Sequence, residues 1–206
     1  MRIVGGKYKG LQLQEPYENS SVRPTTDRVR EALASVVLSH FNLDLCNVSL
    51  LDAFAGSGAV GCELLSRGVK SAVFFEIDGC QVHLVKSNIA KMKEVNPEPD
   101  LDKTVQICRG NALELAKKSS LVGAPFNLIY LDPPYALDPP LSQRLLATLV
   151  ATNNVAKDAL VIREHAKGSP TLNLAEAGGW DLVKQKAFGT IELDILIKQC
   201  SYDGCP

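Results

Sequence analysis

The chain has 206 residues, of which 46% are hydrophobic and 22% are charged, and its formal net charge is −1. This composition is typical of a single globular domain and excludes a disordered or collagen-like protein. No apolar run approaches the roughly 18 residues that span a bilayer, and the first residues lack the apolar stretch of an export signal. We therefore expect a cytoplasmic protein without a membrane segment. The core of one chain should be large enough for a monomer.

The six cysteines are scattered, with no CxxC pair and no histidine at the spacing of a zinc site. We therefore expect no metal site, and we interpret the cysteines inside apolar stretches as small hydrophobic core residues. Cys200 and Cys205 lie in a tail, residues 200–206, to which we assign no function. The two thiols of this tail can form a bridge if they are oxidised.

Residues 1–45 are predicted to form an N-terminal extension with a hairpin and a helix. Residues 2–13 alternate around glycines as a short hairpin does. After a polar loop, Thr25 or Thr26 is placed to cap a helix with 3.6-residue apolar periodicity. Residues 1–30 carry six basic and three acidic side chains, a charge that fits a phosphate-contacting patch and fits equally a solvated surface.

Residues 46–199 are predicted to form an α/β core, because apolar runs of strand length alternate there with helical patterns. Strands that are buried on both faces and separated by helices indicate a parallel sheet with right-handed crossovers. The last two strands are joined by only three residues, too few for a helical crossover, so they must form an antiparallel hairpin. The predicted strands are 48–54, 72–76, 105–108, 128–131, 160–163, 180–187 and 191–198, and the predicted helices are 59–67, 81–92, a short one from 112, and 141–151.

A mostly parallel seven-stranded sheet that ends in an antiparallel hairpin resembles the Rossmann-like fold of class I S-adenosylmethionine-dependent methyltransferases more than that of nicotinamide dehydrogenases. Its first strand runs into a loop whose glycines let the backbone approach a ligand at the carboxyl ends of the strands. The glycines at 56, 58 and 61 also match the dinucleotide fingerprint formally, so an NAD enzyme stays an alternative. The predicted cofactor contacts in this loop are Asp52, Phe54, Ala55, Gly56, Ser57 and Gly58.

Residues after the second and third strands favour S-adenosylmethionine as the cofactor. Glu76 ends the second strand, where a carboxylate can accept hydrogen bonds from ribose hydroxyls. Ile77 can pack on an adenine ring, and Asn111, followed by Ala112, can hydrogen-bond the adenine amino group. Asn111 fits equally well as the cap of the helix that begins at Ala112. We predict all four residues as cofactor contacts.

The fourth strand ends in Asp132-Pro133-Pro134-Tyr135, which we predict to be the catalytic residues. An exocyclic amine of a base is a poor nucleophile, because its lone pair is delocalised into the ring. The Asp132 carboxylate and the Pro133 carbonyl can accept the amine hydrogens and direct the lone pair at a methyl group, while the double proline keeps the loop rigid. Tyr135 can stack on an extruded base. The alternative is an Asp-Pro turn followed by a packing tyrosine.

With these motifs in view, the chain resembles the RsmD type of bacterial methyltransferase, which methylates guanine N2 in small-subunit ribosomal RNA. The resemblance covers nearly the whole chain and implies this RNA, in an assembling ribosomal particle, as the partner. It also implies that Arg23 and Thr25 hold the methionine end of the cofactor and that Arg28 and Arg30 lie near cofactor or RNA; helix capping and surface charge are the alternatives for these residues. Besides the loops already described, the segments that carry the resemblance are Arg2–Gly10 and Arg23–Glu31.

Three other functions stay open. A DNA adenine or cytosine amino methyltransferase uses a similar four-residue signature, although this chain has little room for a separate target-recognition domain. An NAD dehydrogenase needs a hydride-handling acid, and His40, His83 and His165 are better interpreted as core or surface residues. A non-catalytic RNA-binding assembly factor can keep the fold without the chemistry, since a fold does not fix a function.

Overall fold

The computed structural model describes residues 1–15, 26–96, 101–119 and 121–199. The predicted cofactor residues Arg23 and Thr25 and the predicted tail at 200–206 lie outside these ranges. Among the residues inside them, no helix combines the length and the apolar character that a membrane crossing requires.

The described residues fold into one seven-stranded sheet with helices on both faces. The helices are α1 (Asp27–His40), α2 (Ala59–Ser66), α3 (Gly79–Val95), α4 (Leu101–Thr104), α5 (Ala112–Leu115) and α6 (Pro140–Ala151). The strands are β1 (Ser49–Asp52), β2 (Ser71–Glu76), β3 (Val105–Arg109), β4 (Phe126–Leu131), β5 (Val155–Ala166), β6 (Trp180–Phe188) and β7 (Ile191–Lys198), and a short 3-10 turn covers Tyr135–Leu137.

The strand order is β3-β2-β1-β4-β5-β7-β6. The first five strands pair in parallel, and β7 runs antiparallel to both β5 and β6. This topology confirms the predicted Rossmann-like α/β fold, including the antiparallel hairpin at its end. The order reverses between β1 and β4, and in open α/β sheets a ligand binds beside such a reversal.

Successive strand residues point into two separate hydrophobic clusters, one under each layer of helices. Ile3, Tyr8 and Leu13 join the cluster of α1, α2 and α3, whereas α5 and α6 cover the other cluster. Phe74 and Phe75, neighbours on β2, point to opposite sides. Burial on both faces explains why these strands appear as continuous apolar runs. The division of the chain at residue 45 stays a prediction.

The element bounds differ from prediction at both ends of several elements: β1 ends two residues earlier than predicted, and α3 and β5 each end three residues later. β5 starts at Val155 rather than at residue 160, because Lys157 and Asp158 are exposed and interrupt the apolar run. α3 starts two residues before its predicted beginning, since the Asp78 side chain caps it by accepting two backbone amides. The predicted cap of α1 is confirmed at Thr26, whose hydroxyl accepts the amide of Val29. The four-residue α4 was not predicted, because one turn shows no periodicity.

The N-terminal segment is held both by its own pairing and by α2. The predicted hairpin forms as a short antiparallel pairing, with a bridge between Arg2 and Gln12 and backbone hydrogen bonds from the amide of Ile3 to Leu11 at 3.0 Å and from the amide of Leu13 to Met1 at 2.9 Å. The buried Glu63 carboxylate of α2 accepts the amides of Val4 at 2.7 Å and Gly5 at 2.9 Å. Alternation in the sequence therefore signalled a chain reversal, while side chains of a distant helix fix its position.

A side chain of α3 connects this N-terminal segment to the loop after β1. Asn88 is fully buried. Its Oδ1 accepts the amide of Gln14 at 2.7 Å, and its Nδ2 donates to the carbonyl of Ser57 at 3.0 Å. One amide group thus holds two segments that lie far apart in the chain.

Candidate active site

The predicted site residues meet at the edge of the sheet where β1, β2 and β4 end. The loop after β1 continues between the two neighbouring strands: the amide of Ala53 donates to Tyr130 of β4, and the amide of Ala55 donates to Phe75 of β2, both at 3.0 Å. The structure thereby brings the glycine loop next to Asp132, which directly follows β4.

Glycines shape the loop that leads into α2. Gly58 has a φ of 76° and immediately precedes the helix, a left-handed conformation that favours glycine. At Gly61 a Cβ atom would lie 2.2 Å from the ring of Phe74, so no larger residue fits between α2 and β2. The third glycine of the motif therefore allows close helix–strand packing.

Glu76 holds the same loop from the end of β2. One carboxylate oxygen accepts the amide of Gly56 and the other that of Asp78, each at 2.8 Å. A carboxylate offers about four acceptor positions, so both oxygens retain capacity for a ligand. Ile77, the next residue, is 64% exposed and presents an apolar side chain at this edge.

Asp52 ends β1 as a buried carboxyl group, only 1% exposed. Its Oδ2 accepts the amide of Gly61 at 3.3 Å, while Oδ1 is buried without a hydrogen-bond partner among the described residues. Burial, reinforced by the neighbouring Glu76 carboxylate, raises the pKa of Asp52 to about 7. A buried acceptor without a partner is expected where a ligand completes the site.

Asp132 is half-buried and sits among other carboxylates. Burial raises its pKa well above the usual range, and the charges of Glu164, Asp52 and Asp138 raise it further. Glu164, at the end of β5, accepts the Tyr130 hydroxyl at 2.8 Å. Among the described residues, every charge that shifts the pKa of Asp132 is negative, so this part of the site favours binding of a positive group.

The prolines after Asp132 lead into an exposed aromatic side chain. Pro133 is buried and Pro134 is exposed. The short turn that starts at Tyr135 is closed by a bond from the amide of Leu137 to the carbonyl of Pro134 at 2.9 Å. Tyr135 is 40% exposed, which leaves part of its side chain accessible to a ligand.

A buried ion network that the sequence analysis missed holds the far end of this loop. Arg163 of β5 is fully buried. Its Nε donates to Asp138 and its Nη1 to Asp194 of β7, each at 2.9 Å. Ser142 of α6 donates to the other oxygen of Asp138 at 2.6 Å. The available signal was an arginine inside the otherwise apolar run of β5.

The remaining predicted cofactor residues are placed as follows. Phe54 is half-buried against the α5–α6 cluster, and Ser57 is buried. Asn111 accepts the amide of Leu113 at 2.9 Å and so caps α5, whose first residue is the buried Ala112. The predicted adenine contact requires a second lone pair of the same Asn111 oxygen.

The interpretation of Arg30 as a surface charge is wrong. Arg30 is 1% exposed, and its guanidinium donates to the carbonyl of Arg2 at 2.7 Å and to Asp27 at 2.6 Å. Its guanidinium is therefore not accessible to RNA, while its position near the cofactor stays a prediction. Arg28, in contrast, is exposed.

This sheet order, with a glycine loop after β1 and Asp-Pro-Pro-Tyr after β4, defines the fold as that of the Rossmann-like methyltransferases. A solved Escherichia coli protein, yhhF, named as a proposed methyltransferase, is 27% identical and superposes with a TM-score of 0.75 over 98% of this chain and 99% of its own. The rRNA methyltransferase aviRa of Streptomyces viridochromogenes is 14% identical, with a TM-score of 0.64 over 87% of this chain and 88% of its own, and shows the likeness of fold alone.

Sequence relatives narrow the class to one family. The family described as Conserved hypothetical protein 95 matches residues 1–197. Ribosomal RNA small subunit methyltransferase D of Haemophilus influenzae is 31% identical over 93% of this chain and 90% of its own length. The Escherichia coli protein of the same name is 31% identical over 93% and 86%, respectively. The chain belongs to this family, that of the ribosomal RNA small subunit methyltransferase D proteins.

Proposed function

We propose that this protein transfers a methyl group from S-adenosylmethionine to the exocyclic N2 of a guanine in small-subunit ribosomal RNA. The observation that carries the proposal is the meeting of Asp132-Pro133-Pro134-Tyr135 with the loop of Asp52 and Glu76 at one edge of the sheet. Family membership supports the RNA substrate, because the relatives are named for it. We further propose that the protein acts as a cytoplasmic monomer on an assembling ribosomal particle.

The charge of the site fits S-adenosylmethionine better than NAD. Burial and neighbouring carboxylates raise the pKa of both Asp52 and Asp132, so binding of a cation is favourable there. S-adenosylmethionine carries a sulfonium and an ammonium group. The pyrophosphate of NAD binds at the beginning of the helix that follows the glycine loop, which here lies beside Asp52, whose negative charge would repel it.

Specific residues of the edge would hold the cofactor. Glu76 has acceptor capacity for the ribose hydroxyls, Ile77 offers an apolar surface to the adenine, and the partnerless Oδ1 of Asp52 offers an acceptor to the cationic methionine end. The loop backbone from Gly56 to Gly58 would approach the cofactor closely. The bound cofactor supplies an electrophilic methyl group on a sulfonium leaving group.

The chain then has to orient a weak nucleophile and remove a proton. The Asp132 carboxylate and the Pro133 carbonyl accept the hydrogens of the guanine amine, so that its lone pair points at the methyl carbon. Tyr135 stacks on the extruded base. On methyl transfer the amine nitrogen would gain a bond to carbon as the sulfonium becomes a neutral thioether, and the amine would give up one proton. An ionised Asp132 is suited to accept that proton, because burial and neighbouring carboxylates raise its pKa.

Labelled S-adenosylmethionine tests this function with wild-type protein and the Asp132→Asn variant. We expect label in small-subunit RNA, at guanine N2 when the nucleosides are analysed. Asp132→Asn should lower kcat about 10²-fold or more, because the amide keeps an oxygen that accepts a hydrogen bond but cannot take up the amine proton, while cofactor affinity is retained. Asp158→Asn, an exposed aspartate of β5, is the matched control and should leave turnover unchanged.

Three results would contradict the proposal. Label in duplex DNA only would indicate a DNA amino methyltransferase. Full turnover of Asp132→Asn would exclude the Asp132 carboxylate as the acceptor of the amine proton. Restoration of cellular function by a variant without turnover would indicate a non-catalytic assembly factor.

A further inference from the structure

We propose that a groove between α1 and β6 binds the phosphate backbone of the RNA next to the target guanine. The inference rests on the proposed function and assigns RNA binding to a second surface of the protein, outside the candidate active site. The groove has a volume of about 290 Å³ and an apolar floor that includes Leu160 and Ile195. Ser39 of α1 lines one wall, and Lys184 and Lys186 of β6 line the other.

Strand register places this groove beside the candidate active site. Lys186 lies opposite Leu193 of β7, which lies opposite Glu164 of β5. Residues directly opposite each other point to the same face of a sheet, and neighbouring strands are about 4.8 Å apart. The backbone of Lys186 is therefore roughly 10 Å from that of Glu164, whose carboxylate accepts the Tyr130 hydroxyl. Asp132 lies two residues after Tyr130 in the chain. RNA whose target guanine is bound at Asp132 would therefore be close enough for its backbone to enter the groove.

The charge of the groove is opposite to that of the active site. The described residues that line it include two lysines and one histidine, His40, and no carboxylate. Lys184 and Lys186 form no ion pair with any residue in the described part of the chain. RNA requires positive groups along its backbone, and phosphate contacts of this kind fix its position without reading the sequence. The candidate active site would thus bind the cationic cofactor, while the groove binds the RNA polyanion.

A structural role for these lysines must be separated from RNA binding. β6 is the edge strand of the sheet, and lysines on an edge strand discourage pairing with another chain. That role does not depend on RNA. It predicts a change in association state when the lysines are replaced, whereas the proposal predicts a change in the salt dependence of RNA binding.

The test compares two double variants, each of which removes two exposed or half-buried lysines of the sheet. Lys184→Gln/Lys186→Gln changes the groove, and Lys70→Gln/Lys157→Gln changes exposed lysines near the opposite, amino-terminal ends of β2 and β5. Binding of naked small-subunit RNA is measured at several salt concentrations, together with the KM for the RNA, kcat and cofactor affinity. Thermal unfolding and sedimentation report folding and association state.

For the groove variant we expect the slope of log affinity against log salt to become less steep by about 1 for each lysine. Its KM for RNA should rise about tenfold, as expected for loss of contacts made equally in ground and transition states, with kcat and cofactor affinity unchanged. Equal slopes for the two double variants would overturn the proposal, as would weakened binding to the assembled particle without weakened binding to naked RNA. A wild-type protein that binds the RNA but transfers no methyl group would refute the proposed function alone, because the salt slopes would still decide the role of the groove.

Discussion

Carboxylates gather on both faces of the sheet near the ends of β4 and β5, and on one face a buried guanidinium binds two of them. On the face covered by α1, α2 and α3, the charges of Glu164 and Asp52 raise the pKa of Asp132, and the charge of Glu76 raises that of Asp52. On the opposite face, Asp138 and Asp194 both bind Arg163. The difference suggests a division of roles: the carboxylates bound by Arg163 fix the loop, and Asp52 and Asp132, whose pKa values are raised by like charges, receive a ligand.

His165 lies beside Asp194 on the second face. Its Nδ1 lies 2.9 Å from the carbonyl of Ala166 and its Nε2 lies 3.2 Å from Asp194. The Nε2 atom is within ion-pair distance of Asp194 but has no hydrogen-bond partner among the described residues. Burial alone lowers the pKa of His165, but Asp194 more than offsets it and the pKa is raised. Burial likewise tends to raise the pKa of Asp194, yet His165, Gln185 and Arg163 lower it.

Replacement of Arg163, the central cation, should lower the stability of the protein strongly. Arg163→Met leaves two buried carboxylates without their guanidinium, and we expect the free energy of unfolding to fall by about 3–5 kcal/mol. Urea unfolding measures the change. Arg144→Met, at an exposed position of α6, is the control and should stay within about 0.5 kcal/mol of wild type. A loss below about 1 kcal/mol for Arg163→Met would show that the network does not hold the loop.

The raised pKa of Asp52 should make the free energy of unfolding depend on pH. The pKa of Asp52 is raised to about 7 in the folded protein, whereas an unfolded aspartate titrates near 3.9. The folded state therefore binds the proton more tightly, and the stability from this group is complete below about pH 3.9 and is lost as the pH rises through about 7. The greatest slope for one proton is about 1.4 kcal/mol per pH unit.

Asp52→Asn should remove that contribution. We expect the difference in unfolding free energy between wild type and variant to change steadily from about pH 4 to about pH 7 and to level off above it. The raised pKa of Asp132 leaves a residual slope of the same sign in the variant. For the exposed Asp158→Asn the corresponding difference should stay constant. A constant difference for Asp52→Asn as well would mean that Asp52 titrates normally in the folded protein.

Loss of Ser142, the second partner of Asp138, should lower the free energy of unfolding only slightly. Ser142→Ala removes the donor to one oxygen of Asp138, while Arg163 keeps the other. We expect a loss of about 1 kcal/mol in unfolding free energy. Ser35→Ala is the matched control, because that exposed hydroxyl donates only within its own helix. If Ser142→Ala cost as much as Arg163→Met, the guanidinium would not be the centre of the network.

Sequence patterns predicted the parts of this molecule that depend on local chemistry. The apolar runs gave the sheet, and Asp132 to Tyr135 stood out because the chemistry of the residue types depends on their order. The roles of Arg163 and Arg30 depend on partners brought together by folding, so nothing next to them in the chain revealed that both are buried. Alternation near Gly5 predicted a hairpin, but for the same reason nothing in it revealed that the Glu63 carboxylate accepts the amides of Val4 and Gly5.

The bonds of Asn88 have a further consequence for how this protein becomes ordered. One buried amide group satisfies both the N-terminal segment, at Gln14, and the loop after β1, at Ser57. If either segment leaves, the amide loses a partner in a place that water does not reach, so displacement of one segment weakens the hold on the other. A change near Gln14 is therefore expected to loosen the loop at Ser57 as well, although the two residues lie far apart in the chain.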